Sequence, residues 1–270
     1  RDGNGEIIHV IGKDIIQQHT VFWPAMLKGA GYAEPRAITA TGFVTLDDKG
    51  VSTSRNRAIW AEEILDEGFH PDPVRYYLIS AGNIQRDIDF TWESFAEQVN
   101  TDLVGCIGNF LYRSLVFAHR YWDGTPAVSD SHKINGEIES AMGKFQRALN
   151  NYSLRTVSEI PLELARFGNK YIQKHEPWKL IDESPDQAAR VLRDCVQLTK
   201  AIAILFEPIA PEKAETLWTQ LGEDGSVHKA TIEESTTSPP NQFGEPQKLF
   251  KQIEDDRVVE LKKKLQAKIK

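Results

Sequence analysis

Apolar residues gather in short runs near the start of the chain and recur at helical spacing over the rest. Ile7-Ile8-His9-Val10-Ile11 is a brief apolar run ending at Gly12, the pattern of a buried parallel strand. Residues 14–27, with apolar Ile15, Val21, Phe22, Ala25 and Met26, predict a helix that Gly29-Ala30-Gly31 stops. Residues 37–46, rich in Thr, Ile, Phe and Val, predict a second strand, and 47–57 a polar loop. A short helix reaches about Glu67, and Pro73 opens another over 74–81. From Thr91 the alternation gives way to amphipathic helices: one from 91 to 119 or 121, then 131–150, 153–174, 185–206 and 211–221. Residues 222–243 are polar and predict an irregular connection, and 250–270 a closing charged helix. The fold class this implies is mainly α: a partial α/β unit over 1–90, a helical bundle over 91–245 and a C-terminal helix over 246–270.

Composition narrows the function classes. Hydrophobic content of 40% and charged content of 26% describe a globular protein. The longest strongly apolar run, Ala201-Ile202-Ala203-Ile204-Leu205-Phe206, is too short for a bilayer, so no membrane partner is expected. The two cysteines, Cys106 and Cys195, suggest neither a metal knuckle nor a disulfide framework, and the default is a reduced, cytoplasmic protein. A net charge of −7 argues against indiscriminate nucleic-acid binding. It leaves room for RNA held by a few stacked bases.

Three clusters carry candidate chemistry. Gly12-Lys13-Asp14 stands where the end of a parallel strand receives ligands, with Lys13 suited to phosphate or to pairing with Asp14, and Asp14 to a ribose hydroxyl. His19 and Trp23 follow at i, i+4 on one helix face. An ordinary strand-to-helix cap and two core residues would give the same letters. Lys49-Gly50-Val51-Ser52-Thr53-Ser54-Arg55 supplies hydroxyls and cations suited to a polyphosphate, or simply a Ser/Thr-rich turn. In the bundle, Asn109 and Arg113 lie one turn apart and are residue types that read base edges. Trp178, in Glu176-Pro177-Trp178-Lys179, would hold an indole in the open for base stacking. A satisfied interior Asn and a core Trp are the plain alternatives.

Taken together, Gly12-Lys13-Asp14-Ile15, His19, Phe22-Trp23-Pro24-Ala25-Met26, Asp72–Leu78, Gly108–Arg113 and Pro177-Trp178 resemble the class I aminoacyl-tRNA synthetases, specifically the methionyl-tRNA synthetase family. The resemblance covers essentially all of the chain, with Gln18 standing where the family usually has Phe. It implies the end of a Rossmann-like catalytic domain followed by an α-helical anticodon-binding domain. It also implies that ATP, as its Mg2+ complex, methionine and tRNA are the partners. Lys13, Asp14, Lys49 and Thr53 would then bind ATP, with Asp14, His19 and Trp23 lining the adenosine and methionine sites. Asn109, Arg113 and Trp178 would read a CAU anticodon.

The family's Lys-Met-Ser-Lys-Ser loop corresponds here to Gly50-Val51-Ser52-Thr53-Ser54, without either lysine, so Ser52, Thr53, Ser54 and Arg55, helped by Lys49, would meet the phosphates. Asp72–Leu78 is assigned no chemistry and reads as a junction. The resemblance makes the chain a fragment whose upstream half, with its His-Ile-Gly-His motif and metal-bearing insertion, lies elsewhere. On that ground no metal site is expected in this chain, any zinc belongs upstream, and the fragment alone should not activate methionine. The alternatives are a sister class I synthetase of the same subgroup and a non-catalytic tRNA-binding protein derived from this fold. Oligomeric state stays open.

Overall fold

The computed structural model describes residues 5–52, 54–82, 87–128 and 132–269. The chain divides into two compact units, one drawn from residues 1–59, 81–91 and 263–270, the other from 60–80 and 92–262.

In the first unit β1 (Ile8–Gly12) pairs in parallel with β2 (Ala37–Thr41), Ile8 opposite Ala37 and Gly12 opposite Thr41. A second sheet has the order β4-β3-β5: β3 (Val44–Leu46) is antiparallel to β4 (Lys49–Gly50) and parallel to β5 (Ile88–Phe90). The single strand expected over 37–46 is therefore two strands in two sheets. The break falls at Gly42-Phe43, where the Phe43 amide donates to Asp87 Oδ1 at 2.8 Å and its carbonyl accepts the Ile88 N–H at 2.8 Å. The expected loop also contributes β4. The expected helix over 14–27 is a 3-10 turn, Lys13–Ile15, then a π-helical run, Gln18–Phe22, then α1 (Trp23–Gly29). Contrary to the buried strand expected, β1 has one neighbouring strand among the described residues and leaves Ile8 and Val10 exposed, Val10 to 66%, with Ile11 half-buried.

The second unit is helical. Its early elements are α2 (Ala61–Asp66), α3 (Pro71–Ala81) and α4 (Trp92–Gln98). The long helix expected from Thr91 is interrupted by a π-helical run, Val99–Gly108, before α5 (Asn109–Trp122). Gly105 and Gly108 suit that wider turn, because a Cβ at either would meet the carbonyl five residues back, Asn100 O at 3.0 Å or Leu103 O at 2.8 Å. Then come α6 (His132–Asn150), α7 (Leu154–His175), α8 (Pro177–Glu183), α9 (Pro185–Phe206), α10 (Pro211–Gln220) and α11 (Asp255–Lys268), the last starting later than 250 and belonging from residue 263 to the first unit. Helix α8 was not expected. Glu176 takes a left-handed φ of 40°, ending α7, and Pro177 opens α8 at once.

Helix α9 is the axis of this unit and packs against α5, α6, α7, α8 and α10. From Val191 to Phe206 every residue on it is buried. Three of its buried polar side chains are satisfied by the irregular stretch that follows α10. Lys200 pairs with Glu223 at 2.8 Å and donates to Thr237 Oγ1, and Arg193 reaches Ser238 Oγ at 3.0 Å. Gln197 Nε2 donates to the carbonyls of Ser235 and Thr237. Burial of these groups is tolerable because each finds a partner.

Two contacts set the bundle's geometry. Helices α5 and α7 cross where Gly168 lies flat on the fully buried Phe110 ring; a Cβ at 168 would stand 2.4 Å from two ring carbons. The Asp72–Leu78 motif clamps the α9–α10 corner. Arg75 donates to the carbonyls of Pro208 and Ile209, and Asp72 Oδ2 accepts the Lys213 N–H at 2.7 Å, capping α10. Asp72 is 1% exposed, its other oxygen has no hydrogen-bond partner among the described residues, and desolvation raises its pKa.

Overpacking at the helix crossing should make Gly168→Ala cost about 1–3 kcal/mol. Urea unfolding measures this, and Phe110→Leu in the same background should recover part of the loss. An unchanged midpoint would mean that the α5–α7 spacing gives freely. For Asp72 the raised native pKa means that the folded state holds the proton more tightly than the unfolded one. Its contribution to stability therefore falls as pH rises from the ordinary Asp value through the raised one. Asp72→Asn lacks this loss, so its stability relative to the parent should improve as pH rises above the ordinary Asp value. Parallel pH profiles for the two proteins would show that burial of Asp72 carries no such penalty.

Candidate functional sites

In the first unit the candidate residues follow β1 and turn to different partners. Asp14 is exposed and its carboxylate folds back over the glycine, where a Cβ would lie 2.6 Å from Asp14 Oδ1. Lys13 pairs not with Asp14 but with Asp87, Nζ to Oδ1 at 2.5 Å, and its ammonium stands 4.9 Å from the centre of the Phe43 ring. That hydrogen bond, with the Phe43 N–H, holds the Asp87 carboxyl below its usual pKa. His19 meets His9 edge to face, with the two Nδ1 atoms 3.0 Å apart, so one ring donates to the other. Trp23, one turn on, is 43% exposed. Phe22 and Met26 are exposed with it.

The loop after β4 closes as a hairpin. Ser52 and Arg57 exchange both backbone hydrogen bonds, at 2.8 and 2.9 Å, and Asn56 turns the chain with φ 52°. Ser52 Oγ and Ser54 Oγ are 3.3 Å apart, and Arg57 Nε donates to Gly50 O. Lys49 and Arg55 are exposed and make no ion pair among the described residues. Thr53 lies outside the described residues. Two of the backbone amides available to a phosphate clamp, those of Ser52 and Arg57, are thus already used within the hairpin. From the far end of the chain, Lys268 O accepts Asn56 Nδ2 at 3.1 Å and Lys268 Nζ donates to Ala58 O at 3.0 Å.

In the helical unit, Asn109, Arg113 and Phe117 form an i, i+4, i+8 stripe on α5. Asn109 is exposed and donates from Nδ2 to Asn169 Oδ1 at 3.4 Å. The Arg113 guanidinium carbon lies 5.3 Å from the Trp178 ring centre, a cation–π distance. Phe117 packs against the same indole, ring centres 5.6 Å apart and planes tilted by 30°. Trp178 is consequently half-buried rather than fully open: the left-handed Glu176 and Pro177 set it on the first turn of α8, against the stripe. Lys170 and Lys174 are exposed. Cys106 sits behind Asn169 with its thiol pKa raised by burial.

The structure thus brings Arg113 to Trp178 and places Asn109 one turn earlier on α5; Asp14 folds over Gly12 at the end of β1, Lys13 pairs with Asp87, and His19 meets His9 of β1. Sequence reasoning did not single out His9, Phe117 or Asn169. Phe117 was findable as the next member of the Asn109–Arg113 stripe; nothing in the sequence marks Asn169. Among the described residues, no three His, Cys, Asp or Glu side chains are grouped to hold a metal ion, and no helix is long and apolar enough to cross a membrane.

Residues 1–115 match the family model of class I (M) tRNA synthetases, and residues 123–270 match that of the anticodon binding domain of methionyl tRNA ligase. The methionine–tRNA ligase of Halobacterium salinarum is 60% identical over 270 residues, covering all of this chain and 39% of that protein. The one from Haloarcula marismortui is 56% identical over 98% of this chain and 37% of that protein. The chain therefore spans about two fifths of the length of these curated relatives. Among solved structures, Mycobacterium tuberculosis methionyl-tRNA synthetase bound by methionyl-adenylate aligns with a TM-score of 0.78 at 27% identity, over 91% of this chain and 50% of that one. The free form of that synthetase aligns with a TM-score of 0.78 at 25% identity, over 92% and 50%.

The contact between α5 and the start of α8 can be weighed directly. A double-mutant cycle of Arg113→Ala and Trp178→Ala should give a coupling of about 0.5–1 kcal/mol, the range for a partly exposed cation–π pair. Strict additivity in urea unfolding would mean that the guanidinium merely passes near the indole.

Proposed function

The chain belongs to the methionyl-tRNA synthetase family, and on that premise we propose that it serves a methionine–tRNA ligase acting in the cytoplasm. In this reaction the methionine carboxylate attacks the α-phosphate of ATP, presented as its Mg2+ complex, and displaces pyrophosphate. A ribose hydroxyl of the tRNA terminal adenosine then attacks the methionyl carbonyl, and AMP leaves. Neither step asks this chain for a general base. It asks for positioning and for charge to meet the phosphates.

Asp14 and Lys13 would serve the nucleotide, and His19 and Trp23 the methionine side chain, whose polarisable thioether suits aromatic contact. Lys13 is held by Asp87, so a phosphate reaching it exchanges one anion for another. Lys49 and Arg55, the exposed cations beside the hairpin, would take the place of the missing signature lysines, together with the hydroxyls of Ser52, Thr53 and Ser54. The methionyl-adenylate named for the Mycobacterium tuberculosis relative supports this chemistry for the family's shared fold.

The observation that carries the reading is the stripe on α5 with its indole: Asn109 exposed, and Arg113 5.3 Å from the centre of a half-buried Trp178 ring. One cation and one aromatic surface, next to an amide able to bond a base edge, form a site for unstacked anticodon bases. The bases it would read are those of CAU, and residues 91–245 would form the reading domain.

Trp178→Ala should weaken binding of a tRNA carrying CAU by about 5- to 150-fold, the cost of a lost stack, and scarcely change binding of a tRNA with an altered anticodon. Filter binding of the two tRNAs, with a melting curve of the variant, measures it. Equal losses for both tRNAs, or a stability loss of about 3–5 kcal/mol with discrimination intact, would instead make Trp178 a structural anchor.

A further inference from the structure

We infer that Asn169, on α7, is a specificity-determining positioning residue: it turns the Asn109 amide so that its oxygen faces a bound base, selecting a base with an amino group where uracil and guanine carry a keto oxygen. This rests on the anticodon reading above and adds to it a residue and a chemical preference.

The argument follows from what each atom can donate or accept. Asn169 Nδ2 donates to two backbone carbonyls, Cys106 O at 3.0 Å and Ala165 O at 3.1 Å. Carbonyls only accept, so the nitrogen of Asn169 must face them. One of them lies one turn back on α7 itself. The other comes from the π-helical run that leads into α5. The Asn169 amide is therefore fixed with its oxygen pointing the other way, where Asn109 Nδ2 donates to it at 3.4 Å. An amide oxygen cannot donate, so Asn109 must turn its nitrogen toward Asn169. Its own Oδ1 is left on the opposite side of the amide. Left alone, an exposed asparagine turns either end outward; with Asn169 beside it, one end is favoured.

A pyrimidine or purine edge then meets an acceptor. The 4-amino group of cytosine and the 6-amino group of adenine donate to it, whereas a uracil or guanine in the same pose presents a keto oxygen there, a second acceptor. Within CAU the first two bases carry amino groups and the third does not. The crossing at Gly168 holds the geometry: with Phe110 against a glycine, α7 comes close enough to α5 for Asn169, the next residue, to reach both Cys106 O and Asn109.

The test is binding of the full chain to tRNAs carrying CAU, UAU and CGU, in which the 4-amino group of cytosine or the 6-amino group of adenine becomes a keto oxygen, guanine also gaining a 2-amino group. The wild type should prefer CAU to both. Asn169→Ala frees the Asn109 amide to turn over, so at one of the two positions the preference should shrink about tenfold, chiefly through tighter binding of the keto variant. In the Asn109→Ala background the same substitution should leave that ratio where it was. A merely structural role for Asn169 predicts something different, an equal loss for all three tRNAs and a lowered melting temperature. Asn169→Ser, which still donates to Ala165 O but offers no acceptor at the same place, should reproduce the effect if the alanine variant folds poorly. Unchanged ratios, or uniform weakening, in a folded variant overturn the inference while leaving the anticodon site standing. A wild type that binds all three tRNAs equally overturns the anticodon reading, and the inference with it.

Discussion

The close crossing of α5 and α7 is the constraint on which the helical unit most depends. Phe110 fills the space a side chain at 168 would need, so the two helices meet at backbone distance. Everything on the outer stripe of α5 inherits its position from that contact. Asn169 follows Gly168 directly, and α7 then runs two more turns to the left-handed joint at Glu176 that delivers Trp178. One glycine thus sets both the partner of Asn109 and the approach of the indole to Arg113. Interiors packed to crystal density transmit such spacing with little slack.

A second constraint keeps the centre of the bundle in place. Helix α9 is buried along most of its length, yet it carries Arg193, Gln197 and Lys200. Each is answered by the irregular chain after α10, through Ser235, Thr237, Ser238 and Glu223. That stretch has only two short 3-10 turns of its own. It is ordered by bonding to a helix. Asn100 does the same for the approach to α11, donating to Ile253 O and accepting the Ile253 N–H. Polar side chains aimed at backbone groups fix segments that apolar packing alone would leave free to slide.

The long helices were legible because their apolar period persists over many residues: α6, α7, α9 and α10 lie within a few residues of where the pattern put them. Short elements were not. Ile88-Asp89-Phe90 alternates correctly but is three residues long, and its pairing to Val44–Leu46 is a tertiary fact. Nor does helical periodicity reveal a π-helical run: Val99–Gly108 keeps an apolar rhythm close to that of an α-helix, and only Gly105 and Gly108 hint at the wider turn. Of the sites, Asn109, Arg113 and Trp178 could be named from sequence because their types suit base recognition. Their packing could not, since the half-burial of Trp178 by Phe117 depends on how α8 leaves α7. Lys13 was expected to meet phosphate or Asp14. Its partner Asp87 is 74 residues away in sequence and no local pattern could supply it.

The grip of Lys268 on the Ser52–Arg57 hairpin bears on how the chain comes off the ribosome. Asn56 and Lys268 are 212 positions apart, so this clasp waits until the residues between them and α11 have been synthesised. Closing so long a loop from an open chain would cost about 5 kcal/mol in chain entropy, more than two hydrogen bonds near the surface return. The clasp can therefore only follow collapse of the chain in between. Until α11 emerges, the hairpin must hold its shape with its own two backbone bonds and the Arg57 side chain. The segment with the most phosphate-directed chemistry in this chain therefore reaches its full restraint only after translation has passed α11, more than 200 residues downstream.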